Sequence, residues 1–173
     1  MQLDFYMTRL AANAAVFEGL VAGVSTEQAR WKPAPERWSL AEVMGHVYDE
    51  EVEDFRQRLD YTLHRPGEAW PKIDPQGWVK ERAYNERDLQ ETLRNFVRER
   101  ERSLAWLKGL REPDWRVFAE RPQGAIAAGD ILASWVAHDL LHVRQLTRLH
   151  YEYVARVAEP YRVKYAGDWP SAG

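Results

Sequence analysis

The chain has 173 residues, 45% hydrophobic and 29% charged, and its 24 basic and 27 acidic side chains leave a net charge of −3. This is the balance of one soluble globular domain spanning 1–173, and it gives no electrostatic reason for a nucleic-acid or anionic-membrane partner. No cysteine is present, which excludes disulfides, thiolate metal ligands and a cysteine nucleophile.

The opening segment, MQLDFYMTRL, carries charges where a secretion signal needs an apolar run. No stretch reaches the length of a transmembrane helix, so a cytoplasmic address is expected. A first helix is predicted from about Leu3 to Gly23, with Leu10, Ala14, Phe17 and Val21 at three-to-four spacing. The connector RWKPAPERW follows, in which Pro33 and Pro35 disfavour helix. The second helix has the clearest start: Ser39 is an N-cap, Glu42 completes a capping box, and Trp38 with Val43 forms a hydrophobic staple. It is expected to continue to about Leu63.

Residues 65 to 84 hold Pro66, Gly67, Pro71, Pro75 and Gly77 and read as a long irregular connection. The third helix is predicted from about Asn85 to Leu110, with Leu89, Leu93, Phe96, Leu104 and Leu107 inside and its many Arg and Glu outside. Asp130 is the expected cap of a fourth helix, Ile131 to about Leu149, followed by a short extra helix over 151–159 that stops before Pro160. Four long amphipathic helices without strand alternation predict an all-α four-helix bundle. An up-down-up-down bundle needs only short links, so the long link predicts a crossover between helices two and three.

In the fourth helix, Ile131, Trp135, His138, His142, Gln145 and Leu149 alternate spacings of four and three, forming one seam. Its apolar ends turn it inward, which places two imidazoles one turn apart on a buried face. An i, i+4 pair of this kind can hold one metal ion. The same spacing also arises by chance on exposed helices, but burying two imidazoles without partners costs several kcal/mol. His46, mid-helix in VMGHVY, is the best third ligand; alone, it would read as an ordinary core histidine. His64 and His150 look peripheral.

Three imidazoles leave open positions on a metal, as in catalytic sites. Glu50, one turn beyond His46, is a fourth ligand, a base beside the ligands or a solvated acid; the run DEEVED at 49–54 puts the solvated face first. Gln145 is either a partner of His142, a substrate contact or a plain interhelical bond. Trp135 lines the pocket or packs the core, and the two are compatible. Glu50 and Gln145 are the candidate catalytic residues. Metal binding should weaken as pH falls through about 6.5, where protons compete for imidazole.

The segment WKPAPERWSLAEVMGH, with HDLLHVRQ much later, resembles the DinB/YfiT-like superfamily of helical bundles, which is distinct from the polymerase of similar name. The resemblance covers nearly the whole chain. It implies an up-down-down-up four-helix bundle, a metal site at His46, His138 and His142 holding zinc or nickel, and a homodimer. It also implies activities such as thiol-dependent transfer with bacillithiol, mycothiol or glutathione, and maleylpyruvate isomerisation. The leading expectation is therefore a thiol S-transferase acting on small electrophiles with a low-molecular-weight thiol. The alternatives are a hydrolase in which a metal-activated water attacks, and a non-catalytic stress-response binding protein. An interface would be covered by some of the eight Trp, with Trp70 and Trp78 as candidates.

Overall fold

The computed structural model describes residues 1–122 and 124–170. Helix α1, Leu3–Val21, buries Leu10, Ala14, Phe17 and Val21, the stripe its periodicity marks. Ser25 then caps a five-residue helix α2, Thr26–Arg30, by accepting from the Gln28 amide at 3.2 Å. Five residues carry no period, which is why α2 escapes a reading by hydrophobic spacing.

Helix α3, Leu40–Glu53, starts with the expected capping box: the Glu42 amide donates to Ser39 Oγ at 3.1 Å, and the Ser39 amide donates to Glu42 Oε2 at 2.9 Å. The helix does not run unbroken to Leu63. Asp54 (φ −116°, ψ −89°) interrupts it, and α4 spans Phe55–His64. The Asp54 amide still donates to the Glu50 carbonyl, and the Arg58 amide to the Asp54 carbonyl, so the chain direction carries through. Asp is a poor helix-interior residue, and this one turns a buried carboxylate toward Arg58 Nε, 2.6 Å away.

The connection over 65–88 is not wholly irregular. Asp74 caps α5, Pro75–Glu81, by accepting from the Gly77 amide at 2.9 Å. Pro75 here occupies the first helical turn, where its missing N–H costs nothing, so it starts a helix instead of breaking one. A 3-10 turn, Tyr84–Glu86, packs Tyr84 on α3. Gly45 permits this approach, since a Cβ there would lie 2.7 Å from the Tyr84 ring.

Helix α6, Leu89–Gly109, begins four residues later than expected because Asp88 is its N-cap, accepting from the Glu91 amide at 2.7 Å. Its charges are not all outside, as Glu99 and Arg100 are buried. Two-residue strands β1, Phe118–Ala119, and β2, Ile126–Ala127, pair antiparallel. Helix α7, Ala128–Val157, is a single 30-residue helix. Asp130 is inside its first turn, accepting from the Ala127 amide. The separate short helix expected over 151–159 is the last part of α7, because no Gly or Pro occurs between Leu149 and Val157. A 3-10 turn, Val163–Ala166, follows.

Two apolar clusters fix the topology. One joins the end of α1 (Phe17, Val21) to the starts of α3 (Leu40, Val43) and α6 (Leu89, Leu93) and to Leu146 and Leu149 of α7. The other joins Leu10 of α1, Leu59 of α4, Leu107 of α6 and Ile131 of α7. Thus α1 and α7 run toward the first cluster, whereas α3–α4 and α6 start from it. The result is an up-down-down-up bundle, and residues 65–88 cross its full length. Among the described residues, no helix is long and apolar enough to cross a membrane.

Between the clusters lies a buried polar tie. Arg100 of α6 donates to Glu51 of α3, to Asp139 of α7 and to the Leu10 carbonyl of α1, all at 2.7–2.9 Å. Trp135 Nε1 donates to Glu51 and Asn13 Nδ2 to Asp139. All four long helices are therefore joined at one depth.

Candidate metal centre

Successive helical residues point about 100° apart. Glu50 and Glu51 on α3, and His138 and Asp139 on α7, therefore divide between two neighbouring sites. Glu51 and Asp139 face Arg100, while Glu50 and His138 face outward from it. His142, one turn after His138, and His46, one turn before Glu50, complete the outer group. His138 Nε2 lies 3.3 Å from His46 Nε2 and 3.0 Å from His142 Nε2. Three nitrogens held at ~2.0–2.1 Å from one tetrahedral ion would lie roughly 3.3–3.4 Å apart, so the spacing fits a shared divalent cation.

The surroundings fit as well. Arg100 with Glu51 and Asp139 makes a buried group of net negative charge behind the rings. His46 Nδ1 and Glu50 Oε1 are buried and without a hydrogen-bond partner, and Glu50 Oε2 is 3.9 Å from His138 Nε2. A buried carboxyl oxygen without a partner is costly, and a nearby cation offsets that cost. On the open side, His46 and His142 line a solvent-open cavity of about 420 Å3 with Trp38, Arg37, Gln76, Gln145 and Leu149. The ring of Trp38 is 5.0 Å from that of His46, and Phe55 flanks His138 at 4.9 Å.

The run at 49–54 is not a solvated face: Asp49, Glu50, Glu51 and Asp54 are each no more than 6% exposed. Asp49 meets Arg82, Arg87 and Tyr84, brought over by the crossover. Trp135 does not line the cavity. It is 1% exposed, stacked on Phe55 and bonded to Glu51. Gln145 does line it, with Oε1 2.9 Å from His142 Nδ1. His64 is apart from the group, exposed and paired with Asp60. His150 donates from Nε2 to the Leu20 carbonyl and accepts from Gln28 at Nδ1. Trp78 is buried against Val79 and Tyr84 within the same chain, and Trp70 is flanked by Arg58 and Arg121.

Reading by sequence passed over Arg37 and Gln76 at the cavity. Gln76 arrives on α5, in a segment whose prolines mask the helix, and nothing local to either residue signals a site. Trp38 was legible only as a staple.

Burial, reinforced by the charge of His142, lowers the pKa of His46 to about 3. Burial and the two neighbouring rings take His138 to about 2, and burial also lowers His142. Burial, then the charge of Asp54, raises Glu50 to about 8. His46 and His138 are thus neutral and ready to ligate well below 6.5, His142 shifts the same way, and proton competition moves down from the ordinary imidazole value.

The two kinds of shift act oppositely on stability. Below pH 6.5 the unfolded chain gains imidazole protons that the fold refuses, so stability falls with falling pH by up to ~1.4 kcal/mol per unit for each ring. A raised carboxyl stabilises fully below its unfolded pKa, and that contribution is lost as pH rises toward 8, again at up to ~1.4 kcal/mol per unit. The three rings outweigh the carboxyls on the acid side, and between 6.5 and 8 the raised carboxyl of Glu50, with Asp54 raised beside it, dominates. Metal-free protein should therefore be most stable near pH 6.5 in urea titrations at pH 5, 6.5 and 8. A monotonic rise across that range would contradict the assignment.

Comparison with known proteins gives a fold from shape and a family from sequence. None of the curated protein sequences matches the chain. Among solved structures it is similar to YfiT from Bacillus subtilis, described as a probable metal-dependent hydrolase with an unusual four-helix bundle topology. That match has a TM-score of 0.78 at 19% identity and covers 88% of this chain and 87% of the other. The up-down-down-up order traced from the two apolar clusters is thus carried by a fold already seen. The sequence profile of the DinB superfamily matches residues 9–146, a span that takes in His46, His138 and His142. The chain belongs to the DinB superfamily.

Proposed function

We propose that the protein is a metal-dependent hydrolase of small molecules. The observation that carries this reading is the convergence of three imidazole Nε2 atoms beside a solvent-open cavity of about 420 Å3. A divalent cation, when bound, supplies Lewis acidity and makes water a stronger nucleophile near neutral pH. Imidazole donors suit zinc and nickel, the ions expected from the family resemblance.

The chain's own residues have separable tasks. His46, His138 and His142 hold the cation, and their burial keeps them unprotonated. Trp38 and Leu149 give the cavity apolar wall, and Arg37, Gln76 and Gln145 give polar groups that orient a substrate entering it. Glu50, whose Oε2 is next to His138, takes up and returns a proton. Burial and the charge of Asp54 raise its pKa above the ordinary carboxyl value, toward the range where such an exchange works near neutral pH. The description of YfiT, which shares the fold, supports the same chemistry.

The thiol S-transferase expected from the resemblance draws no support from the cavity, where no group marks a thiol site. An open cavity also weighs against a sealed, purely structural binder. Protein purified without a histidine tag, stripped and then reloaded with zinc or nickel, should hydrolyse activated esters or anilides only when loaded. Conjugation of a glutathione-type thiol to a halide or epoxide, with no metal-dependent hydrolysis, would replace this reading with the transferase.

A further inference from the structure

We infer that Gln145 is a positioning residue for His142, its side-chain carbonyl fixing the tautomer of the ring and thereby the metal affinity of the centre. This rests on the metal-dependent reading proposed above. An imidazole that ligates through one nitrogen carries its proton on the other, and an acceptor for that N–H orients the ring and raises its basicity. His142 Nε2 points into the three-histidine group, and its Nδ1 is 2.9 Å from Gln145 Oε1. His46 Nδ1 is buried without any such partner. Gln145 follows His142 by three residues on α7, so one helical turn brings the amide alongside the ring.

The amide has two unlike ends, and only one arrangement serves a metal. With Oε1 toward the ring, Nδ1 carries the proton and Nε2 keeps its lone pair for the cation. With the amide reversed, its N–H2 group would donate to Nδ1, the ring proton would move to Nε2, and ligation through that atom would be lost. Binding a cation therefore selects the first arrangement. Gln145 itself lines the cavity, and the selected arrangement turns its N–H2 group away from His142. Two N–H donors are then available to an acceptor oxygen, such as the carbonyl of an ester or amide substrate.

The test compares Gln145→Leu, which keeps the bulk and removes the acceptor, with Gln145→Glu, which keeps an acceptor at the same reach. Metal-free proteins are titrated with Zn2+ against a competing chelator, and imidazole tautomers are read from 15N NMR. The leucine variant should bind Zn2+ about 10–100-fold more weakly, and His142 should lose its single Nδ1–H signature. The glutamate variant should match wild type or bind more tightly. Unchanged affinity in the leucine variant, or equal weakness in both variants, would overturn the inference. Should the leucine variant fail to fold, the wild-type spectrum still decides, since a His142 Nε2–H tautomer is incompatible with it. Wild type that binds Zn2+ without hydrolysing any substrate would defeat the proposed activity and leave this inference standing. Wild type that binds no Zn2+ would defeat both.

Discussion

Replacing His138 with alanine should remove tight divalent-metal binding. His138 Nε2 is the nitrogen shared by both short approaches, 3.3 Å to His46 and 3.0 Å to His142, so its loss leaves two donors with no common neighbour. The fall in affinity should exceed the roughly 10–100-fold produced by losing a residue that only orients a ligand. His46→Ala and His142→Ala should behave alike, because each also removes one of three donors. Folding should survive, since His138 and His142 are only partly buried and removing an unprotonated ring deletes no ion pair within the bundle. His64→Ala is the control: that ring is exposed, paired with Asp60 and remote from the group. His150→Ala should cost stability through its bonds to Leu20 and Gln28 but leave metal stoichiometry unchanged. Metal analysis of untagged protein decides the matter. Stoichiometric metal in a double His138→Ala, His142→Ala variant would refute the site.

The bundle and its three histidines were legible for a shared physical reason. Both depend on helical periodicity, and a seam alternating four and three carried Trp135, His138, His142 and Leu149 to one side. His46 was legible because it sits mid-helix in VMGHVY, among residues that α3 buries. What escaped is tertiary. Arg100 stands four residues after Phe96 and seven before Leu107, squarely on the apolar seam of α6, yet a lone arginine in a charged run reads as surface. Its burial depends on Glu51 and Asp139, which are remote in sequence. The run at 49–54 misled for the same reason, since its partners Arg82, Arg87 and Arg100 arrive only when the crossover and α6 pack against α3. Helix α5 escaped because Pro75 was counted as a breaker, although an Asp-Pro pair is also a helix start.

Arg100→Ala should be among the most destabilising single changes in the chain. Arg100 is 1% exposed, and its guanidinium serves two buried carboxylates and a backbone carbonyl. Removing it leaves Glu51 and Asp139 facing each other, both 1% exposed, with only Trp135 and Asn13 as donors. Breaking a buried pair by deleting one partner typically costs ~3–5 kcal/mol, and the lost packing on Phe96 adds to that. In a domain of this size each kcal/mol corresponds to roughly 2–4 °C, so thermal unfolding should begin at least several degrees lower. The metal centre should feel the change too. Glu51 precedes no ligand but follows Glu50, and Asp139 follows His138, so the tie that Arg100 makes also fixes where α3 and α7 present their donors. Wherever Arg100→Ala remains folded, Zn2+ should bind more weakly than to wild type, although Arg100 touches no ligand. A triple Glu51→Gln, Asp139→Asn, Arg100→Met variant, which removes every charge at once, should recover much of the stability. If Arg100→Ala leaves the thermal midpoint within a degree or so of wild type, the buried tie does not hold the bundle together.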